Sequence, residues 1–182
     1  MKKILTLTFF APSFSLIFLL LIVSTSSMAR QSGHGRVNMS GSIIDTPCAI
    51  STADLEQTID FGTVTTGEIS HDGHGGEHRF SLNLINCDLH PFNESKPDWS
   101  VFKTTFDGPS ENGFFSVSGA KGIGLKIIDS TGNSAVPGKA LPGGNLVTGS
   151  QRLDYILQLV SDHQNLKPGL YHSTIRFKID YF

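Results

Sequence analysis

The sequence predicts an all-β domain. Three observations carry this: short runs in which apolar and polar residues alternate with period two, turn clusters rich in Gly, Pro, Asn and Asp between them, and no stretch with a helical 3.6-residue period. Composition agrees, since of 182 residues 19 are Gly, 8 are Pro, 38% are hydrophobic and only 16% are charged. That is too apolar for a disordered chain. With 14 Lys and Arg against 16 Asp and Glu, there is no basic footprint for nucleic acid or an anionic membrane.

The first segment is expected to lie outside the fold. Met1-Lys2-Lys3 is a basic start, Ile4 to Val23 is almost wholly apolar with Pro12 and Ser13 in its middle, and Ser27-Met28-Ala29 is a small-x-small cleavage site. Together they read as a secretory signal over residues 1–29, cleaved after Ala29. A membrane anchor competes, because about 20 apolar residues span a bilayer, but Pro12 and the cleavage-like end argue against it. Cleavage leaves one exported domain of 153 residues with 12 basic and 16 acidic side chains.

Residues 30–36 have no apolar side chain to bury and contain two glycines, so a flexible start is expected. Val37, Met39, Gly41 and Ile43 then alternate with Asn38, Ser40 and Ser42, a strand pattern that Asp45-Thr46-Pro47 ends. Gln57 to Val64 is a weaker strand candidate. Arg79 to Cys87 is a stronger one, with Phe80, Leu82 and Leu84 on one face; Cys87 is off that parity, so a bulge or the strand's end must re-aim it. Further candidates are Ser100 to Phe106, Phe114 to Ser118, Gly122 to Ile128 and Leu153 to Val160, separated by turns such as Asp107-Gly108-Pro109 and Thr131-Gly132-Asn133. Pro and Gly exclude a helix interior from residues 137–144. After Pro168-Gly169 comes the longest alternation, with Tyr171, Ser173, Ile175, Phe177, Ile179 and Tyr181 on one face. A half-buried strand there raises the question of what covers its free edge, which can be a strand of the same chain or a segment of another.

Cys48 and Cys87 are the two cysteines. In an exported protein an even pair is most simply one structural disulfide, and the spacing is nothing like the Cys-x-x-Cys of a redox pair.

Several side-chain constellations admit a functional reading beside a plainer one. His71, Asp72, His74, Glu77 and His78 are side chains of the types that bind Zn or Cu, but they match no ligand spacing on regular structure. The glycines among them point instead to a solvated, mobile loop. The remaining histidines are scattered with no His-x-His pair, unlike a copper-zinc superoxide dismutase. No Gly-x-Ser-x-Gly nucleophile elbow occurs. Gly122-Ile123-Gly124 lacks the third glycine and following helix of a dinucleotide site, so it reads as a kink where a strand begins. Trp99, with Phe92 and Phe102 nearby, is read as a core aromatic rather than a sugar-stacking platform. No enzyme and no cofactor is expected. Asn38-Met39-Ser40 and Asn93-Glu94-Ser95 match the glycosylation sequon, a short pattern to which no function is assigned.

Four markers in order behind the signal carry a resemblance: the alternating extension Val37, Met39, Gly41, Ile43 before Cys48, Asn86-Cys87 ending a strand, Gly169 fourteen residues from the end, and the penultimate Tyr181. With them, residues 30–182 resemble a pilin subunit of the bacterial chaperone-usher pathway. The resemblance implies an incomplete immunoglobulin-like β-sandwich over residues 48–182 that lacks its final strand. The missing strand is supplied first by a periplasmic chaperone and then by the extension of a neighbouring pilin subunit, with assembly at an outer-membrane usher and display at the cell surface. In this sequence the donor segment within residues 30–47 would be Val37, Met39, Gly41 and Ile43. The acceptor groove and chaperone contact would involve Gly169, Ile175, Phe177, Ile179, Tyr181 and Phe182. Thr105-Phe106-Asp107-Gly108, Ala120-Lys121-Gly122-Ile123, Leu153-Asp154-Tyr155 and Phe177-Lys178-Ile179-Asp180-Tyr181 are most similar to minor subunits of P-pilus-like systems, including the one that terminates assembly and anchors the rod. A tip adhesin would need an additional lectin domain. The alternative from another class is a monomeric secreted β-sandwich binding module that completes its own sheet, and folding in isolation separates the two.

Overall fold

A computed structural model describes residues 35–182. The expected signal and its cleavage site fall outside the described residues, as does most of the leader. Contacts divide the chain into two compact units at Ser42/Ile43. In the first, residues 35–42 form no helix or strand and every side chain is exposed.

The second unit contains eleven strands, one short α-helix and a single 3-10 turn at Thr52–Asp54. The strands are β1 (Ala49–Ile50), β2 (His74–Cys87), β3 (Val101–Asp107), β4 (Ser110–Glu111), β5 (Phe114–Ser116) and β6 (Ser118–Lys121), followed by β7 (Ile123–Asp129), β8 (Gly144–Asn145), β9 (Gly149–Ser161), β10 (Lys167–His172) and β11 (Arg176–Tyr181). Six form an antiparallel sheet in the order β1-β2-β9-β7-β5-β4, three form a second sheet β11-β3-β8, and β10 pairs with β6. The core lies between the two larger sheets. Phe106 of β3 meets Tyr155 of β9 edge-on at 5.0 Å and Phe80 of β2 at 6.1 Å. Tyr155 donates its hydroxyl hydrogen to Thr104 Oγ1 at 2.9 Å, so the polar end of a buried ring is satisfied.

The Cys48–Cys87 disulfide is present and both residues are buried. It joins the chain just before β1 to the end of β2, its antiparallel partner. The off-parity of Cys87 has the expected cause. The β2–β9 register shifts between Leu84 and Cys87, and Asn86 takes a positive φ of 53°, turning the cysteine inward.

Four expectations require correction. Gln57–Val64 carries strand-like alternation but forms no ladder among the described residues; Val37–Ile43, whose expected partner is a neighbouring chain, forms none within this one. Alternation sets which side chains share a face, but a strand also needs a neighbour to pair with. The sequence showed no helix, yet Thr66–Asp72 is one, here α1. Seven residues are too few to display a period, but the termini are marked: Thr65 Oγ1 accepts from Glu68 N at 3.2 Å, and Gly73 at φ 75° sends its N–H to Ile69 O. Residues His71 to His78 are not a mobile loop, because they end α1 and begin β2. Gly75 serves close packing there, since a Cβ would come within 2.8 Å of Val64 Cγ1. Finally, the long C-terminal alternation is two strands in two sheets. It breaks at residues 173–175, where the Ser173 hydroxyl donates to Ser116 O, though parity continues through the break.

Candidate functional site

β11 is paired along its whole length with β3, from Arg176 opposite Asp107 to Tyr181 opposite Phe102. On its other side it has no strand among the described residues. The phase of the ladder fixes which groups face that open side. Phe182 and Val101 exchange both main-chain hydrogen bonds, at 2.8 and 3.0 Å. Narrow and wide pairs alternate along an antiparallel ladder, so Asp180, Lys178 and Arg176 point their N–H and C=O groups at β3. Tyr181, Ile179 and Phe177 point theirs outward. The same phase is visible across β3, where the carbonyls of Thr104 and Phe106, opposite Ile179 and Phe177, turn away from β11 to accept from Leu141 N and Gly138 N.

The side chains of this edge are two-sided. Ile175, Phe177, Ile179 and Tyr181 are half-buried and packed on the core, whereas Arg176 and Lys178 are exposed. Phe177 lies 6.5 Å from the Phe106 ring. Burial pushes the Tyr181 phenol up from its ordinary pKa, so it stays protonated at neutral pH. Arg176 pairs with Asp107 at 3.3 Å and Lys178 with Asp180 at 2.9 Å, exposed contacts of small energetic consequence. One row of residues therefore presents apolar side chains to the core and unpaired main-chain groups to the outside, which is the chemistry of strand addition.

A second run shares that core. Ile59, Phe61 and Val64 are half-buried against it, and residues 57–64 make no main-chain to main-chain hydrogen bond among the described residues. Their position is set by side chains. Gln57 donates to Ser81 O at 2.9 Å, and buried Asp54 just upstream accepts from the main chain and side chain of Asn83 at 2.7 and 2.9 Å. Phe61 packs edge-on to His78 at 4.5 Å and lies 6.5 Å from Tyr171. Burial raises the Tyr171 phenol pKa, with a smaller push from the Asp60 charge. The apolar positions of this run were legible in the sequence, but its lack of main-chain partners was not. Asp54 and Gln57, which hold it, carried no pattern at all.

The remaining site residues divide. Ile175, Phe177, Ile179 and Tyr181 come together at the β11 edge, whereas Gly169 is on β10, exposed, in the irregular stretch between the Lys167–Lys121 and Tyr171–Gly119 pairs. Phe182 is partly exposed, its main-chain oxygen accepts from Ser100 N and Val101 N, and Lys103 Nζ lies 5.0 Å from its ring centroid. Val37, Met39 and Ile43 are almost fully exposed, and nothing lies within 4 Å of where a Gly41 Cβ would be. Trp99 packs on the core as expected, and Gly122, at φ 80°, kinks the chain into β7.

This geometry has known counterparts. The family model for fimbrial proteins matches residues 37–181. The PRS fimbrial minor pilin protein of Escherichia coli is 33% identical over 153 residues, which is 81% of this chain and 77% of that protein. The major MR/P fimbria protein of Proteus mirabilis is 28% identical over 166 residues, 88% of this chain and 91% of that one. Among solved structures, the P pilus rod subunit PapA superposes with a TM-score of 0.68 over 75% of this chain and all of that one. Its 21% identity makes this a likeness of fold. With an all-β sandwich, a family match over most of its length and a relative at one-third identity, the chain belongs to the fimbrial protein family, as a structural pilin subunit.

Proposed function

We propose that this pilin joins its neighbours by donor-strand exchange: the segment Val37, Met39, Gly41, Ile43 enters a neighbouring subunit, and the β11 edge is covered in turn by a strand from another chain. The observation that carries this reading is the outward row of N–H and C=O groups at Phe177, Ile179 and Tyr181, on the residues whose side chains line the core. In the donor, apolar side chains alternate with polar ones, and Gly41 suits a close approach of two backbones. A periplasmic chaperone covers the edge before assembly at an outer-membrane usher. The test is whether the mature chain folds alone. Expressed without chaperone, it is expected to aggregate or be degraded, and with chaperone to accumulate as a soluble one-to-one complex. A stable chaperone-free monomer with cooperative unfolding overturns the reading in favour of a self-complete binding module.

For its place in the fibre, the one-third identity to the E. coli minor pilin supports a minor subunit. The resemblance of the segments around Phe106, Ile123, Tyr155 and Phe177 to terminating subunits extends this to an end position that donates a strand without accepting one. A peptide of residues 37–43 in excess is then expected to release the chaperone slowly. Rapid exchange to a stable subunit–peptide complex places the chain among rod or adaptor subunits.

A further inference from the structure

The connection between β2 and β3, residues 88–99, is held at both feet. Asp88 N donates to Pro47 O at 2.8 Å and Trp99 N to Leu89 O at 2.8 Å, while the His90 ring lies 3.0 Å from Asp88 and 3.8 Å from Asp98. Pro91 is buried. The residue after it, Phe92, sends its N–H to Asp45 Oδ1 at 3.4 Å and leaves its ring 94% exposed. A single exposed aromatic is ordinary on a protein surface. What distinguishes this one is its location at the root of the extension.

The position of Asp45 sets a length. Pro47 is buried beside the disulfide and Ile43 is the last apolar residue of the donor, so four Cα steps separate the anchored body from the inserted strand. Fully extended, they span about 14 Å. The radius of gyration of a 140-residue domain is also about 14 Å, so an accepting subunit cannot hold Ile43 and stay clear of the root of the extension. Phe92 lies at that root with Ile44, which is 72% exposed. Val147 and Phe182, also part-exposed, are at the same end of the sandwich, because Leu146 N donates to Ser100 O and Ser100 N to Phe182 O.

We infer that Phe92 is an interface residue: its ring packs against the body of the subunit that accepts residues 37–43, so the 88–99 connection sets the junction together with the inserted strand. This rests on the donor-insertion reading, and its test separates the two. A photo-crosslinking phenylalanine analogue is placed singly at positions 92, 39 and 131 of the full chain, in cells assembling the complete fimbria. Position 39 reports insertion, and Thr131, on the exposed Asp129–Asn133 turn, is the surface control. Irradiation is expected to give a band at the summed mass of two subunits from positions 39 and 92, containing the same neighbour, and none from 131. A band from 39 with none from 92, or bands of equal yield from 92 and 131, overturns the junction contact and leaves insertion standing. No band from 39 overturns insertion, and the junction contact with it. Capture at 92 of some other protein alone, such as the chaperone, also overturns the contact.

Discussion

β9 and β11 are both antiparallel strands on the same core, yet they differ in what lies beside them. β9 runs for thirteen residues between β2 and β7, and Leu157, Gln158, Leu159 and Val160 are buried in succession. Even its buried amide is satisfied, by Glu77 Oε1 at 2.8 Å. β11 is six residues long, is paired on one side, and is nowhere more than half-buried: Arg176 and Lys178 are exposed, and Phe177, Ile179, Asp180 and Tyr181 are half-buried. β9 therefore finds both of its neighbours within the chain. On the proposed reading, the stability of β11 depends on what covers Phe177, Ile179 and Tyr181. Changes in the first region should therefore act on the subunit in every state, and changes in the second should act according to its partner.

The largest effect is expected at the disulfide that clamps β1 to β2 in the six-stranded sheet. The disulfide spans a sequence separation of 39, and closing such a loop is worth roughly 4 kcal/mol in the chain-entropy account. Cys48→Ser or Cys87→Ser also buries a hydroxyl beside a thiol. Each variant is expected to cut the periplasmic yield of chaperone-bound subunit sharply. Wild-type yield, or two free thiols by mass in the native material, contradicts this.

Next comes a matched pair of truncations. Leu159 is fully buried, so Leu159→Ala should cost about 3 kcal/mol whether or not a partner strand is present. Phe177 is half-buried, and Phe177→Ala should cost less in the free chain and more once a strand covers the edge. The urea concentration at which the subunit becomes protease-sensitive reads both, measured in the chaperone complex and in the chain freshly refolded at high dilution before it aggregates. Equal sensitivity of the two variants to the chaperone breaks the distinction between the strands.

β2, β3, β7 and β9 were legible in the sequence because each is a run rich in apolar and β-branched residues bounded by turn chemistry, as at Asp107-Gly108-Pro109 after β3 and Gly122 before β7. The four residues that line the β11 edge were legible from their alternation. Their outward amides were not, because ladder phase follows from a register with β3 that no local pattern encodes. Gln57–Val64 and Val37–Ile43 show the converse: both display an apolar face without stating which chain supplies the neighbour. The helix α1 was missed through its brevity, although Thr65-x-x-Glu68 and Gly73 together mark both of its ends.

The ladder phase yields a residue-by-residue prediction. In the chain freshly refolded from urea at high dilution, before it aggregates, the amides of Phe177, Ile179 and Tyr181 are expected to exchange with solvent quickly, while those of Lys178 and Asp180, bonded to β3, are slow. Chaperone binding should slow the first three and leave the other two little changed. Slow exchange of all five in the free chain would mean that the chain covers its own edge.

The smallest effect concerns the connection that holds Phe92. The hydrogen bond to Asp88 and then the charge of Asp98 hold His90 above its ordinary pKa of 6.5, and the same hydrogen bond holds Asp88 below its ordinary 3.8. A raised histidine contributes stability that is fully present below 6.5 and is lost as pH rises through its folded value. The lowered carboxylate contributes above 3.8 and loses its part as pH falls through its own folded value. Both contributions are therefore present together between about 4 and 6.5. All three groups are exposed, so salt should weaken the coupling. Following the His90 ring by NMR through a pH titration should give a midpoint above 6.5 that falls in Asp88→Asn, falls less in Asp98→Asn, and drops with added salt. If neither substitution moves the midpoint, the three side chains do not form the clasp that carries Phe92, and β2 is joined to β3 by main-chain contacts alone.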